Sequence, residues 1–151
     1  MAANRIYRGP AERDPETVSD KTVAGGYLPG SWVTEGATTL TQATTAKAAM
    51  LRILANRDFY SIGQFDTNDP LLVAYANGDS AVAYKPEPAQ IYQCPVAAAT
   101  YAWGTELTVA ASGRLAAAAT GDMVVAFSRF VGARSAGDLI DVEIANIYSK
   151  A

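Results

Sequence analysis

A chain of 151 residues has room for one domain, and a domain of that size buries roughly two thirds of the surface its unfolded chain exposes. Half of the residues are apolar, but alanine supplies much of that and aromatics only 9 %, so small side chains and a few tyrosines and tryptophans are expected to build the core. A net charge of -3 with no cluster of Lys and Arg argues against a nucleic-acid partner, because phosphate binding needs concentrated positive charge.

Residues 1–22 differ from the rest. Pro10 and Pro15 are spaced so that neither helix nor strand runs through, and Arg5, Arg8, Arg13 and Lys21 balance Glu12, Asp14, Glu16 and Asp20. Such a segment has too little apolar area to offset its own ordering entropy. Two readings stay open: a disordered tail, or an arm that orders on a partner, with Ile6 and Tyr7 as apolar anchors beside Arg5 and Arg8. No apolar run follows the arginines, so neither a signal peptide nor a membrane span is expected.

Residues 23–151 read as a single β-rich domain. Gly25-Gly26 and Pro29-Gly30 are turn signals, and Ser31–Thr34 and Thr38–Thr41 read as short strands around a turn at Glu35-Gly36. The stretch Lys47 to Asn56 is ambiguous, since Met50, Leu51 and Leu54 favour helix by propensity while Leu51, Ile53 and Ala55 alternate as in a strand. Asp69-Pro70, followed by Leu71, Leu72 and Tyr75 and closed by Asn77-Gly78, predicts one short helix of about two turns. Ser80–Tyr84 alternates again, and Ile91–Val96 reads as an edge strand or strand end because of Pro95. From Trp103 to Tyr148, apolar runs punctuated by Ser112-Gly113, Thr120-Gly121 and Ala136-Gly137-Asp138 have the spacing of strands in a small sandwich or barrel.

The halves echo each other. Tyr27, Gly30 and Thr34 lie over Tyr101, Gly104 and Thr108, and both copies lead through a glycine turn into a leucine-containing strand, at Leu40 and Leu115.

Catalytic and metal chemistry find little material. The chain has no histidine, which removes the commonest general base and metal ligand. The single Cys94 excludes an internal disulfide, thiolate zinc sites and Cys-His pairs, and points to a reducing compartment. Asp66-Thr67-Asn68-Asp69 opens like a calcium loop, but Pro70 and Leu71 follow where a ligand and the tight-turn glycine should stand. Asp138 and Asp141 are an odd number of residues apart, which sends them to opposite faces of a strand, and Asp138 reads as a turn residue. The expectation is no enzyme, no metal and no cofactor. Trp32 and Trp103, each beside a turn glycine, read as core fillers or as interface anchors.

Pro29-Gly30-Ser31-Trp32-Val33, Tyr75-Ala76-Asn77-Gly78-Asp79, Ala81–Tyr84, Gly104-Thr105, Ser112–Leu115, Gly121–Ala126 and Ala136–Ile144, in that order, resemble the small capsid decoration, or cement, proteins of tailed bacteriophages. The resemblance covers most of residues 23–148. It implies a mainly β fold, a small antiparallel β-barrel or sandwich with one short helix and an extended N-terminal arm, and it tips Met50–Asn56 towards strand. It also implies attachment to the major capsid protein on the outer surface of the virion capsid, after synthesis in the bacterial host cytoplasm, as a homodimer or homotrimer. In that setting Arg5, Ile6, Tyr7 and Arg8 are expected to reach along the capsid or a neighbouring subunit. The alternatives are a tail-tube or baseplate β-module, a carbohydrate-binding module using Trp32 or Trp103, and, further off, a carboxylate-only hydrolase.

Overall fold

A computed structural model describes residues 5–56 and 70–151, and these are mainly β. The first five strands are β1 (Thr17–Val23), β2 (Trp32–Glu35), β3 (Thr39–Gln42), β4 (Leu51–Leu54) and β5 (Ser80–Tyr84). They close into a barrel in the order β1-β3-β2-β4-β5, which leaves no long unpaired edge. The pairs are antiparallel except β1 with β3, where Val23 lies parallel to Leu40. Met50–Asn56 thus yields a strand, because Leu51 to Leu54 pairs with strands on both sides.

The rest of the chain forms β6 (Ile91–Pro95), β7 (Ala99–Tyr101), β8 (Glu106–Val109), β9 (Leu115–Ala117), β10 (Met123–Ser128), β11 (Gly132–Arg134) and β12 (Leu139–Ser149). Strands β7 and β11 make a separate two-stranded sheet, and the others run β6-β12-β10-β8-β9.

This second sheet repeats the strand order of the first and much of its register, although the irregularity between Val18 and Lys21 on β1 has no counterpart on β6 and the one between Val124 and Ala126 on β10 none on β4. The hairpin β2–β3 sets Glu35 opposite Leu40, and β8–β9 sets Val109 opposite Leu115. Trp32 pairs with Ile53 and Ile53 with Tyr84, as Glu106 pairs with Phe127 and Phe127 with Glu143. Val23 lies parallel to Leu40, and Val96 makes an isolated parallel bridge to Leu115. The following N–H, of Ala24 and of Ala97, donates to the leucine carbonyl at 3.0 and 2.8 Å. Even the turns match: Asp79 and Asp138 each accept a backbone N–H at 2.9 Å, from Ala76 and from Ser135, while the glycines before them donate to Val23 and Val96 at 2.8 and 2.9 Å. The echo in the sequence therefore extends to the strand order of both halves, and the second half stays a five-stranded sheet with the isolated Val96–Leu115 bridge where the first closes into a barrel.

Strand alternation sends Val23, Val33, Leu40, Leu54, Ala81 and Ala83 into the first barrel. Their counterparts Val96, Leu107, Leu115, Ile140 and Val142 lie on the second sheet, in the cluster that also holds Trp32 and Ile53. Ser128 replaces Leu54 and is satisfied locally, its hydroxyl donating to the Phe130 carbonyl at 2.9 Å and accepting the Phe130 N–H at 3.2 Å.

The barrel and the second sheet are joined through the outer row of the barrel. Trp32 and Ile53 point out of their own barrel yet are fully enclosed, because they share one cluster with Tyr92, Cys94, Val125 and Ile144. Beside them Tyr84 meets Tyr92 at 5.6 Å between ring centroids and Tyr7 at 6.2 Å. The joint tolerates no bulk at two turns: a Cβ on Gly113 would lie 2.7 Å from the Trp32 carbonyl, and one on Gly30 2.9 Å from the Gln93 carbonyl. Both glycines also have positive φ, where L side chains are strained.

Two expectations are revised. The short helix reduces to a single 3-10 turn at Pro70–Leu72, with Asp69 outside the described residues. Leu71 and Tyr75 bury themselves in different clusters, and the Tyr75 N–H donates to the Tyr27 carbonyl at 2.9 Å where a helix would need residue 71. In the N-terminal segment, the boundary at residue 22 falls inside β1, where Val18 and Val23 face inward and charged Asp20 stays out. Ile6 and Tyr7 are buried in this chain, and their segment pairs with the edge of β6: Arg8 donates to Ile91 at 2.8 Å and Gln93 to Ile6 at 2.6 Å.

Because Ile6 is part of the joint, Ile6→Ala is expected to cost about 2–5 kcal/mol in urea unfolding. A loss below about 0.5 kcal/mol, the range of surface substitutions, would mean that this segment packs elsewhere.

Candidate interaction face

The likeness of the two halves defines the site by contrast. The row Trp32, Ile53, Tyr84 is spent on the joint, whereas its counterpart on the second sheet, Glu106, Phe127, Glu143, faces outward and is partly exposed. Each carboxylate there is held. Glu106 accepts the Tyr148 hydroxyl at 2.6 Å and lies 3.6 Å from the Lys150 ammonium, and Glu143 accepts from the Arg129 guanidinium at 3.1 Å. Two acids and two bases make the face electrically neutral. Phe127 lies between them with its ring 6.3 Å from that of Tyr148.

Trp103 completes the face. Its indole is 64 % exposed, and the Arg129 guanidinium sits 5.0 Å from its ring centroid, a cation–π contact. The backbone beneath is fixed by a tight turn, in which Thr105 accepts the Ala102 N–H at 3.1 Å and its hydroxyl donates back to the Ala102 carbonyl at 2.9 Å. Gly104 ties the same turn to β10 by donating to the Ser128 carbonyl at 2.8 Å. Val131, also prominently exposed, and Phe130 under the Arg134 guanidinium at 3.9 Å lie along the chain from Arg129.

The two tryptophans thus part company: Trp32 is a core residue of the joint and Trp103 is a surface residue. Among the arm residues, Arg5 is exposed, Ile6 and Tyr7 serve the chain's own core, and exposed Arg8 pairs with Asp141 at 3.5 Å, an ion pair worth little in water. Asp138 caps its turn and Asp141 meets Arg8, so the two acids have separate partners. The calcium-like Asp66–Asp69 lies outside the described residues. Among the described residues, no three metal-ligating side chains cluster, and no helix is long and apolar enough to cross a membrane. Phe127, Arg129, Glu143 and Tyr148 escaped the sequence because their grouping depends on register between distant strands.

A groove of about 740 Å³ opens beside the joint, lined among others by Trp32, Met50, Leu51, Pro86, Val125 and Ile144. Met50, 53 % exposed and held at a positive φ of 55°, stands at its edge.

Compared with known proteins, the chain matches no family model and no curated protein.

Two titrations follow from this geometry. Tyr148 has its pKa raised because its hydroxyl donates to the Glu106 carboxylate, so Glu106→Gln is expected to bring its phenolate absorbance to lower pH, and an unmoved titration would remove that bond. Burial pushes Cys94 from 9.0 up to about 12, against a smaller opposite effect of the Trp32 indole and with Asp141 adding to the rise. The unfolded thiol ionises first, so this contribution to stability is complete below pH 9 and is lost as pH rises towards 12. A thiol reagent at neutral pH should leave native Cys94 untouched and label it on unfolding, and labelling at the rate of an exposed thiol would contradict the burial.

Proposed function

We propose that the chain is a structural virion protein that attaches to the outer surface of a tailed-phage capsid and stiffens it, a decoration protein. The observation that supports this best is the Trp103 face: an exposed tryptophan, a phenylalanine and a tyrosine held in place by paired charges on a hydrogen-bonded sheet. Trp, Tyr and Arg are the side chains that dominate protein–protein hot spots. A pre-fixed backbone means that little conformational entropy is lost on docking.

In this reading the face contacts the major capsid protein or a neighbouring decoration subunit in a homodimer or homotrimer. Many symmetry-related copies then add modest contacts into firm attachment. Arg5 and Arg8 remain on the surface for capsid contact, whereas Ile6 and Tyr7 contribute by holding the arm to the chain's own core. The reaction-free character expected from the sequence belongs to the same proposal.

Purified protein mixed with undecorated expanded capsids and with intact tails, then imaged, is expected to label capsids at regular lattice positions. Trp103→Ala should reduce occupancy at least tenfold at matched subsaturating concentration, since a hot-spot tryptophan is worth about 2 kcal/mol or more. Absence of ordered density on capsids, or labelling of tails alone, would refute the proposal. Because deleting residues 1–22 removes part of β1, the arm is better tested by Arg5→Glu.

A further inference from the structure

We infer that Asn77 is a self-modification site, where the folded chain turns an asparagine into aspartate and isoaspartate through a cyclic imide formed with Gly78. The inference is independent of what the Trp103 face binds.

One kind of turn recurs in this fold. Among the described residues it stands at 76–79, 102–105, 119–122 and 135–138, where a side-chain oxygen of Asp79, Thr105, Asp122 or Asp138 accepts the N–H three residues back at 2.9, 3.1, 2.8 and 2.9 Å. The third residue is glycine each time, with φ of 88°, 83°, 89° and 90°, the left-handed conformation that glycine adopts without strain. Its N–H donates to the carbonyl of Val23, Ser128, Lys150 or Val96, at 2.8, 2.8, 2.9 and 2.9 Å. The second residue varies: Asn77, Trp103, Thr120 and Ala136, all exposed. Tryptophan, threonine and alanine complete the same geometry, so the turn does not require the asparagine carboxamide. No hydrogen bond holds that carboxamide among the described residues, and no heavy atom lies within 4 Å of the place that a Cβ on Gly78 would take. Of the asparagines in the chain, Asn77 alone precedes glycine. An unpinned carboxamide thus stands in solvent beside an amide nitrogen that no side chain shields.

In the reaction, the Gly78 nitrogen gives its proton to hydroxide and bonds to Cγ of Asn77. The Cγ–Nδ2 bond breaks, and ammonia leaves with a proton from water, which returns the hydroxide. Water then opens the imide, at the side-chain carbonyl to give isoaspartate's isomer aspartate with an ordinary peptide bond, or at the main-chain carbonyl to give isoaspartate, whose chain runs through the side chain. The bond from Gly78 to Val23 restrains the nitrogen, so the rate follows the population of the opened turn. Isoaspartate lengthens the main chain within a turn that ties β1 to β5, where Val23 donates to the Asp79 carbonyl at 2.9 Å and Thr22 lies opposite Ser80. The product therefore loosens that seam of the first barrel.

Incubation of the full folded chain in mildly alkaline buffer, followed by ion exchange and peptide mass mapping, tests this. An acidic form is expected to accumulate with amide exchanged for acid at Asn77, split between aspartate and isoaspartate, before any other asparagine reacts. Asn77→Ala, which copies Ala136 of the equivalent turn, is expected to lose that acidic form with unchanged far-UV circular dichroism. Asp79→Ala, which removes the bond from Ala76, is expected to speed the reaction, and the isoaspartate fraction to unfold at lower urea than the aspartate fraction. An Asn77 that stays intact in the folded chain while the urea-unfolded chain converts it would overturn the inference. So would an acidic form that persists in Asn77→Ala, or a rate unmoved by Asp79→Ala.

Discussion

The outer row of the first barrel is the constraint on which the structure turns. Trp32 and Ile53 project from strands whose inner faces already fill a core, so a single barrel would leave them in water. Burying each is worth roughly 1.5–3 kcal/mol, and the second sheet with the Ile6-Tyr7 segment provides the cover. The cost is visible at the indole nitrogen, which is buried without a hydrogen-bond partner of ordinary geometry. The Cys94 sulfur, in the same cluster, is the soft neighbour of this indole. The lone cysteine is thereby accounted for as packing at the joint.

The two halves share a strand order and differ in outer chemistry. The same cross-strand row is aromatic and aliphatic on the first barrel and alternates carboxylate, phenylalanine, carboxylate on the second sheet. Several inward positions stay apolar, since Val23, Leu40 and Ala83 correspond to Val96, Leu115 and Val142, while Ser128 stands for Leu54 and the Glu35–Arg52 ion pair, opposite Leu40 and Val33, gives way to Val109 and Ala126. This is the pattern physical chemistry dictates: closure and register are set by inward residues and turns, while the outward row is free to serve whatever lies beyond it. A face that is neutral, partly polar and aromatic suits contacts that form after folding, because it remains compatible with water until a partner arrives.

The N-terminal segment illustrates how a charged composition misleads. Its alternating acids and arginines describe the outward half of β1 and the loop before it. The decisive residues are few: Val18 and Val23 inside the barrel and Ile6 and Tyr7 on the joint. Their partners are strands distant in sequence, and no local window contains them.

The sequence by itself determined the mainly β class, the glycine and aspartate turns, the leucine echo between the halves and the lack of any concentrated positive charge, because turn chemistry, alternation and composition are local. Asp79 and Asp138 show it well, each turning the chain by the same bond to an N–H three residues back. Tertiary structure alone decided that Trp32 is enclosed and Trp103 open, although both stand near a turn glycine. It also decided that Glu106, Phe127, Glu143, Arg129 and Tyr148 form one face, and that Tyr75 bonds to Tyr27 where a helix was expected. Those outcomes depend on which strand lies beside which and on what covers the far side of a sheet, and strand pairing across tens of residues is fixed only when the whole core closes.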